Sequence, residues 1–83
     1  MNVRVYVTPK AGILDPQGAT VERALPALGF NGVGGVRIGK YIELQLQPAD
    51  GADTTTVHEQ IDDMCRKLLA NPIIEDYRFE VDD

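Results

Sequence analysis

The chain offers few residues that could perform nucleophilic or acid-base chemistry. It has one cysteine, Cys65, and one histidine, His58, and a cysteine nucleophile needs a base within hydrogen-bond reach. The two residues are seven positions apart, about two helical turns, and Cys65 belongs to an apolar helical stripe beside which His58 lies. A free cysteine in such a stripe behaves as a small hydrophobic residue. We therefore predict a buried structural thiol at Cys65, a surface position for His58, and no catalytic residue in this chain.

Metal and nucleotide sites are not indicated either. One cysteine and one histidine without CxxC or HxxxH spacing fall short of a zinc ligand set. The glycine-rich segment 32–39 matches neither a GxxxxGK(S/T) phosphate loop nor a GxGxxG turn before a helix. Adjacent acidic pairs could supply hard-cation ligands or acid and base groups, but such pairs usually form a solvated face. They are Asp62-Asp63, Glu75-Asp76 and Asp82-Asp83. We expect this chain alone to bind no metal and no cofactor.

The composition limits the domain count, the location and the partners. With 83 residues, 43% of them hydrophobic and 25% charged, the chain is predicted to form a single domain over residues 1–83. Its net charge of −5 repels phosphate backbones and anionic membranes. No apolar run approaches the ~18 residues of a membrane span, and no signal-peptide pattern is present. We therefore expect a cytoplasmic protein that binds neither nucleic acid nor membrane, and whose small core favours self-association.

Local patterns predict the first strand and the first helix. Valines alternate with polar residues over positions 3–7, as in a strand with one buried face. Asp15-Pro16 is typical of a helix cap followed by the first helical position. Pro26 removes a helical hydrogen bond, so we expect a loosened last turn before a cap at Gly29. The apolar stripe of this helix consists of Val21, Ala24, Leu25 and Leu28.

Two strands and a second helix follow. Alternation over residues 33–38 and 42–46 predicts a hairpin at Gly39-Lys40 in which Ile38 pairs with Ile42. In the second helix, Thr56 and Glu59 form a capping box, and Asp53 is the alternative cap of an earlier start. Asn71-Pro72 ends this helix, and residues 77–81 alternate as a final strand. The apolar stripe of the second helix consists of Val57, Ile61, Met64, Cys65 and Leu68.

The order of these elements predicts an α+β fold. Strand, helix, strand, strand, helix, strand is the order of a ferredoxin-like βαββαβ sandwich, with a four-stranded antiparallel sheet and two helices on one face. The other face of the sheet is expected to carry polar side chains that are available to water or another subunit: Arg4, Tyr6, Arg37, Glu43, Gln45, Arg78 and Glu80. Because this fold hosts many functions, it does not assign one by itself.

Three blocks of sequence resemble the PurS family, the small subunit of phosphoribosylformylglycinamidine (FGAM) synthase. They are Asp15-Pro16-Gln17-Gly18, Val36-Arg37-Ile38-Gly39-Lys40, and Leu68-Leu69-Ala70-Asn71-Pro72 running into Ile74-Glu75-Asp76-Tyr77. Together they span most of the chain. The stretch Thr8-Pro9-Lys10-Ala11 and Pro26 depart from the family pattern, which affects local geometry only.

The resemblance implies a place in a complex of three kinds of subunit. That complex converts formylglycinamide ribonucleotide, ATP and glutamine to FGAM, ADP, phosphate and glutamate. A glutaminase subunit releases ammonia, and a large synthetase subunit binds ATP and magnesium. The small subunit, a homodimer or a higher assembly, bridges the two and helps to retain ammonia. The chain would then be part of a ligase complex without an active site of its own.

The resembling blocks also suggest an interface with the large subunit, because they contain polar residues that an isolated fold does not require. The candidate residues are Arg37, Gly39, Lys40, Asn71, Glu75, Asp76 and Tyr77. In the alternative interpretation, Asn71 caps the second helix, and Glu75 and Asp76 pair with neighbouring cations. Two other classes of function stay open from the residues alone: an independent small enzyme, and a free-standing ferredoxin-like module that senses a small molecule.

Overall fold

The computed structural model describes residues 1–82, which form a three-stranded sheet and two helices, the second extended by one π-helical turn. No helix in this range is long and apolar enough to cross a membrane. In chain order the elements are β1 Asn2–Pro9, α1 Pro16–Ala27, β2 Lys40–Gln45, α2 Thr54–Met64, the π-helix Cys65–Leu69, and β3 Glu75–Asp82. The chain is therefore α+β, as its sequence predicts.

The sheet has β1 in the centre and antiparallel neighbours on both sides, in the order β2-β1-β3. Val5 of β1 pairs with Ile42 of β2 and with Phe79 of β3. Since side chains alternate across a strand, these apolar residues share one face, here called the inner face. Val3, Val5 and Val7 are fully buried on it, which confirms the predicted first strand.

Helix α2 covers the inner face with Val57 and Ile61, and the π-helix continues this cover with Cys65; all three are buried. The helix begins at Thr54, and the Asp53 carboxylate accepts a hydrogen bond of 2.8 Å from the Thr56 amide. The earlier of the two predicted starts is therefore confirmed, and the start at Thr56 is wrong. The Asp53 side chain reaches an amide that has no partner within the helix, which gives that start its cap.

The π-helix changes the face on which its leucines lie. The Ala70 amide donates to the Cys65 carbonyl over 2.8 Å, a five-residue step that widens the turn. Leu69 packs against the core, whereas Leu68 is 84% exposed. The prediction that Leu68 belongs to the buried stripe is wrong, because a stripe drawn with the α-helical period does not apply to this turn.

Helix α1 begins and ends as the sequence predicts. The Asp15 carboxylate accepts from the Gly18 amide over 3.1 Å, and Pro16 is the first helical residue. After Pro26 the amides of Leu28 and Gly29 donate three residues back, to the carbonyls of Leu25 and Pro26. This tightened turn ends at Gly29, whose φ is +95°, so the expected disturbance of the last turn is confirmed.

Residues 10–39, here called the arm, do not pack on the sheet. No residue of the arm belongs to the hydrophobic core, and the described chain measures 55 × 25 × 15 Å along its principal axes. Only α2 and the π-helix cover the inner face of the sheet in the described chain. The predicted sandwich with two helices on one face is therefore not present in the single chain.

The predicted hairpin is also absent, since residues 33–38 form no strand and Ile38 does not pair with Ile42. Instead, carboxylates of α1 and of its N-cap accept hydrogen bonds from backbone amides of this segment. The Asp15 carboxylate accepts from the Ile38 amide over 2.8 Å, and the Glu22 carboxylate accepts from the Gly35 amide over 2.5 Å. Pairing with β2 is thereby replaced by attachment to α1, and the arm consists of α1 and an extended return segment.

The outer face of the sheet is polar and aromatic. Arg4 of the central strand reaches Glu80 and Asp82 of β3, at 3.3 and 2.6 Å. The guanidinium of Arg78 lies 3.9 Å from the ring centroid of Tyr6. Except for Arg37, which lies in the arm, the polar residues predicted for this face are on the strand positions opposite the core.

Candidate partner interface

The seven candidate interface residues meet at one end of the sheet. Val7 of β1 pairs with Lys40 at the start of β2 and with Tyr77 near the start of β3. Glu75 and Asp76 continue the same ladder toward the end of β1. The arm leaves the sheet after Pro9 and returns to it at Lys40, both at this end of the sheet. We therefore call this region the arm end. Blocks that are far apart in the sequence are therefore brought together in space.

Arg37 and Gly39 fix the returning chain at the arm end. The Arg37 guanidinium donates to the Pro9 carbonyl over 3.0 Å. A Cβ atom at Gly39 would overlap the Val7 carbonyl oxygen, so only glycine permits this close approach. These two residues therefore hold the start of the arm, after Pro9, next to its end, before Lys40.

Lys40 bridges the sheet and the helical layer. Its ammonium group lies 3.4 Å from the Leu69 carbonyl oxygen, near the end of the π-helix. A cation is favourable at this position because the last carbonyls of a helix carry partial negative charge. Lys40 stays exposed, and its charge is accessible to a partner.

Asn71 and Glu75 shape the turn between the π-helix and β3. The Glu75 carboxylate accepts from the Asn71 amide over 2.7 Å, and the Asn71 side-chain oxygen accepts from the Ile73 amide over 3.1 Å. Asn71 thus holds the turn that follows and does not cap α2, so that part of the alternative interpretation is wrong. Within residues 1–82, neither Glu75 nor Asp76 is in an ion pair with a cation.

Tyr77 joins β3 to α2. Its hydroxyl donates to the Asp62 carboxylate over 2.6 Å, in a partly buried position. This hydrogen bond lowers the pKa of Asp62, and it raises the pKa of Tyr77, with burial as the second cause. Arg66 also pairs with Asp62, at 2.9 Å. The side chain of Tyr77 therefore has a role within the fold, whatever its contact with a partner.

The arm end also exposes apolar side chains that sequence reasoning missed. Ile73 is 83% exposed on the turn before β3, Ile74 follows it, and Leu68 lies on the π-helix nearby. The Ile73-Ile74 pair after a proline was a visible signal in the sequence. Leu68 gave none, since the π-helical turn is not apparent from periodicity. A surface that mixes such apolar groups with polar ones is typical of protein interfaces.

Among residues 1–82, no hydrogen bond joins Cys65, the one candidate nucleophile, to His58. Cys65 is fully buried, and burial raises the pKa of its thiol, which confirms the structural thiol. His58 packs edge-on against Phe79, with ring centroids 5.7 Å apart. No group of three or more His, Cys, Asp or Glu side chains within residues 1–82 could hold a metal ion. The arm end can bind a partner by charge, hydrogen bonds and apolar contact.

Comparison with known proteins gives matches over nearly the whole of this chain. The family model described as PurS, phosphoribosylformylglycinamidine (FGAM) synthase, matches residues 2–83. The chain is 51% identical over 78 residues to a phosphoribosylformylglycinamidine synthase subunit PurS of Synechocystis, covering 94% of this chain and 75% of that one. It is 49% identical over 81 residues to the Bacillus subtilis subunit of the same name, with coverage of 98% and 92%.

Solved structures agree with these matches. The C2 crystal form of Bacillus subtilis PurS superposes with a TM-score of 0.82 at 48% identity, and the alignment covers 99% of this chain and 98% of that one. A chain in the structure of PurLQS from Thermotoga maritima gives a TM-score of 0.80 at 28% identity, with coverage of 95% and 93%.

Proposed function

Because this chain belongs to the PurS family and is a subunit of FGAM synthase in purine biosynthesis, we propose that it joins the glutaminase and synthetase subunits of that complex without performing chemistry itself. The observation that carries this proposal is the match over residues 2–83 to a chain whose described part holds no catalytic constellation. The independent enzyme and the free-standing sensing module are set aside, because the relatives, matched over 75% and 92% of their length, are synthase subunits.

The arm end is the surface that we assign to the large synthetase subunit. Lys40 and Asp76 expose opposite charges at this end of the sheet, and Ile73 exposes an apolar side chain beside them. A partner that covers this region would bury a central apolar patch inside a polar rim, which is the usual arrangement of a specific interface. ATP and magnesium would bind on the synthetase subunit, and the small subunit would help to retain ammonia between the two active sites.

The chain is proposed to act as a homodimer or a higher assembly in the cytoplasm. A chain of 83 residues in which 30 residues form an arm outside the core buries little surface alone, and domains of this size are only marginally stable. The complete ferredoxin-like sandwich, with four strands and two helices on one face, would then be a property of the assembly.

The test is synthesis of FGAM with the large and glutaminase subunits, with and without this chain. Glutamine-supported synthesis is expected to require the chain, because ammonia must pass between subunits that it joins. Synthesis supported by added ammonium salt is the control, and the large subunit should carry it out without the chain. Equal glutamine-supported rates in the presence and absence of the chain would refute the proposed role.

A further inference from the structure

We propose that Asn31 is a site of covalent modification, at which the backbone of Gly32 converts the side-chain amide to aspartate and isoaspartate through a cyclic imide. Asn31 lies in the arm, shortly after the end of α1 at Ala27. The only co-reactant is water. The modification requires neither the glutaminase nor the synthetase subunit, so it is independent of the function proposed above.

The reaction is an intramolecular ring closure followed by hydrolysis. The backbone nitrogen of Gly32 gives its proton to a base in the solvent and forms a bond to the side-chain carbonyl carbon of Asn31. The bond from that carbon to the side-chain nitrogen breaks, and this nitrogen takes up a proton and leaves as ammonia. Water then opens the imide at either carbonyl carbon. The backbone afterwards continues through the original carbonyl group in aspartate, or through the side-chain carbonyl group in isoaspartate.

Gly32 gives the attacking nitrogen more freedom than any other residue would. Its φ is +89°, in the left-handed region that favours glycine. A Cβ atom built on Gly32 would meet nothing within 4 Å. Ring closure requires the backbone to rotate until the Gly32 nitrogen faces the Asn31 side chain, and a residue without a side chain in open surroundings opposes this rotation least. Within residues 1–82, no backbone hydrogen bond holds the Gly32 amide.

Asn31 lies in a short loop that is held only at its ends. On one side the Phe30 amide donates to the Leu25 carbonyl over 3.0 Å. On the other side the Gly35 amide donates to the Glu22 carboxylate over 2.5 Å. Between these two bonds, residues 31–34 belong to no helix or strand and are exposed. Water and solvent bases therefore reach the amide that reacts.

The other two asparagines of the chain are blocked by the residues that follow them. Asn2 lies in the central strand and is followed by Val3, which is fully buried and β-branched. Asn71 is followed by Pro72, whose nitrogen carries no hydrogen and cannot close the ring in this way. Of the three asparagines, only Asn31 combines a following glycine with an exposed loop.

Two further sequences place a glycine after a side chain that could react similarly, Gln17-Gly18 and Asp50-Gly51. The Gly18 amide donates to the Asp15 carboxylate over 3.1 Å, and Gly18 is buried in α1. Glutamine would also have to close a larger ring. Asp50 offers a carboxylate, a poorer electrophile than an amide, and a hydrogen bond closes its turn. Asn31 is therefore expected to react first.

The products change the charge and the backbone of the arm. The arm carries three basic and two acidic residues, a net charge of +1, which a new carboxylate at position 31 would cancel. Isoaspartate also lengthens the backbone inside the loop that the bond between Glu22 and Gly35 closes. A longer loop no longer fits this bond, so we expect the Gly35 amide to exchange faster with solvent deuterium. Isoaspartate is also the group that protein carboxyl methyltransferases recognise.

Mass spectrometry of the stored protein tests the site. The purified chain is kept at neutral and at mildly alkaline pH, then digested with trypsin at mildly acidic pH, where ring closure is slow. Trypsin cleaves after Arg23 and Arg37 and releases peptide 24–37. Asn31 is the only asparagine or glutamine in that peptide. We expect its mass to rise by about 1 Da, in two chromatographic forms and faster at the higher pH.

The rate in the folded chain is compared with the rate in a synthetic peptide 24–37. A segment that opens at no cost reacts within about threefold of the free peptide, and this is the expected result. A rate more than about tenfold slower in the chain would show that the fold or a second copy protects the site, and it would overturn the proposal. A mass increase at Asn2 or Asn71 in place of Asn31 would overturn it too.

Asn31→Gln is the matched variant, because it keeps the amide but must close a larger ring. We expect it to slow the conversion by at least about tenfold, and circular dichroism reports that its fold is unchanged. An isoaspartyl methyltransferase with labelled S-adenosylmethionine should methylate the stored parent chain and not the stored variant. Equal labelling would overturn the modification site. Equal deuterium exchange at Gly35 in the two stored proteins would overturn the expected loosening of the arm.

Discussion

At the scale of single residues, the hydrogen bond from Tyr77 to Asp62 links the last strand to the helical layer. Asp62 has its pKa lowered in the folded chain, first by Tyr77 and then by Arg66. A lowered carboxyl pKa stabilises the fold above the unfolded pKa of about 3.9, and this contribution is lost as pH falls through the folded pKa. The link between β3 and α2 is therefore expected to weaken in acid.

Tyr77→Phe tests this link by removing the donor while keeping the ring. We expect a lower urea midpoint at neutral pH, because the carboxylate of Asp62 loses its hydroxyl partner. The difference from the parent chain should shrink as pH falls below about 4 and through the lowered pKa of Asp62, because the protonated carboxyl group no longer offers the hydroxyl a charged acceptor. The measurement is urea unfolding at a series of pH values. A difference that stays constant down to about pH 2 would contradict the assignment.

Cys65→Ser tests the structural thiol. The position is fully buried, so a hydroxyl there is expected to cost about 1–3 kcal/mol of unfolding free energy. Glutamine-supported synthesis by the assembled complex should stay near the parent rate, because the thiol takes no part in chemistry. Cys65→Ala is the control that removes sulphur without adding a polar group. A folded serine variant that assembles but supports no synthesis would refute this prediction.

Arg37→Glu and Lys40→Glu test the arm end as the synthetase contact. Both side chains are exposed, and each reversal removes one hydrogen bond, to the Pro9 or the Leu69 carbonyl, which is expected to cost about 1 kcal/mol of unfolding free energy. Like charges brought together at an interface cost several kcal/mol, so assembly is expected to weaken much more than the fold. Thermal melting of the free chain and gel filtration of the mixed subunits distinguish these effects.

The control for the charge reversals is Glu59→Lys, a reversal on α2 away from the arm end. It should assemble like the parent chain. Normal assembly by both Arg37→Glu and Lys40→Glu would make these positions ordinary surface, and the assignment of the arm end to the synthetase subunit would have to be withdrawn.

At the scale of elements, the π-helix buries one of two neighbouring leucines, Leu69, in part and leaves the other, Leu68, exposed. Leu69→Ala is expected to cost roughly 1–2 kcal/mol of unfolding free energy, because Leu69 packs partly buried against the core. Leu68→Ala should change it by less than ~0.5 kcal/mol, since the side chain is exposed. Urea unfolding of the free chain measures both. The reverse order would mean that the α-helical stripe, and not the π-helical turn, describes this segment.

Elements fixed by neighbouring residues were predictable, whereas those fixed by distant ones were not. The cap at Asp15 and the alternation over 3–7 depend on residues a few positions apart. The predicted hairpin is absent because the carboxylates of Glu22 and Asp15 accept hydrogen bonds from amides 13 and 23 positions away. No local sequence pattern indicates these bonds. The candidate residues of the arm end came from resemblance, and their meeting in space follows from the register of β1 with both neighbours.

At the scale of the whole molecule, stability should depend on concentration. If copies associate as proposed, assembly stabilises the folded state by mass action. We expect the thermal midpoint of the free chain to rise with protein concentration. Differential scanning calorimetry over a hundredfold range of about 5 to 500 μM measures it. A midpoint that is independent of concentration in the parent chain would contradict a stabilising association.

The register of the sheet also determines when the chain can fold during its synthesis. Asn2 in the central strand pairs with Asp82 of the edge strand β3. This pairing therefore joins the two ends of the described chain. A nascent chain that has been synthesised only as far as residue 74 contains β1 and β2 but not β3. Its β1 can therefore pair with only one of its two neighbours. Pairings of such long sequence separation form slowly. Folding of this sheet therefore waits until residues 75–82 have left the ribosome, and until then the Val3, Val5 and Val7 row is available to chaperones.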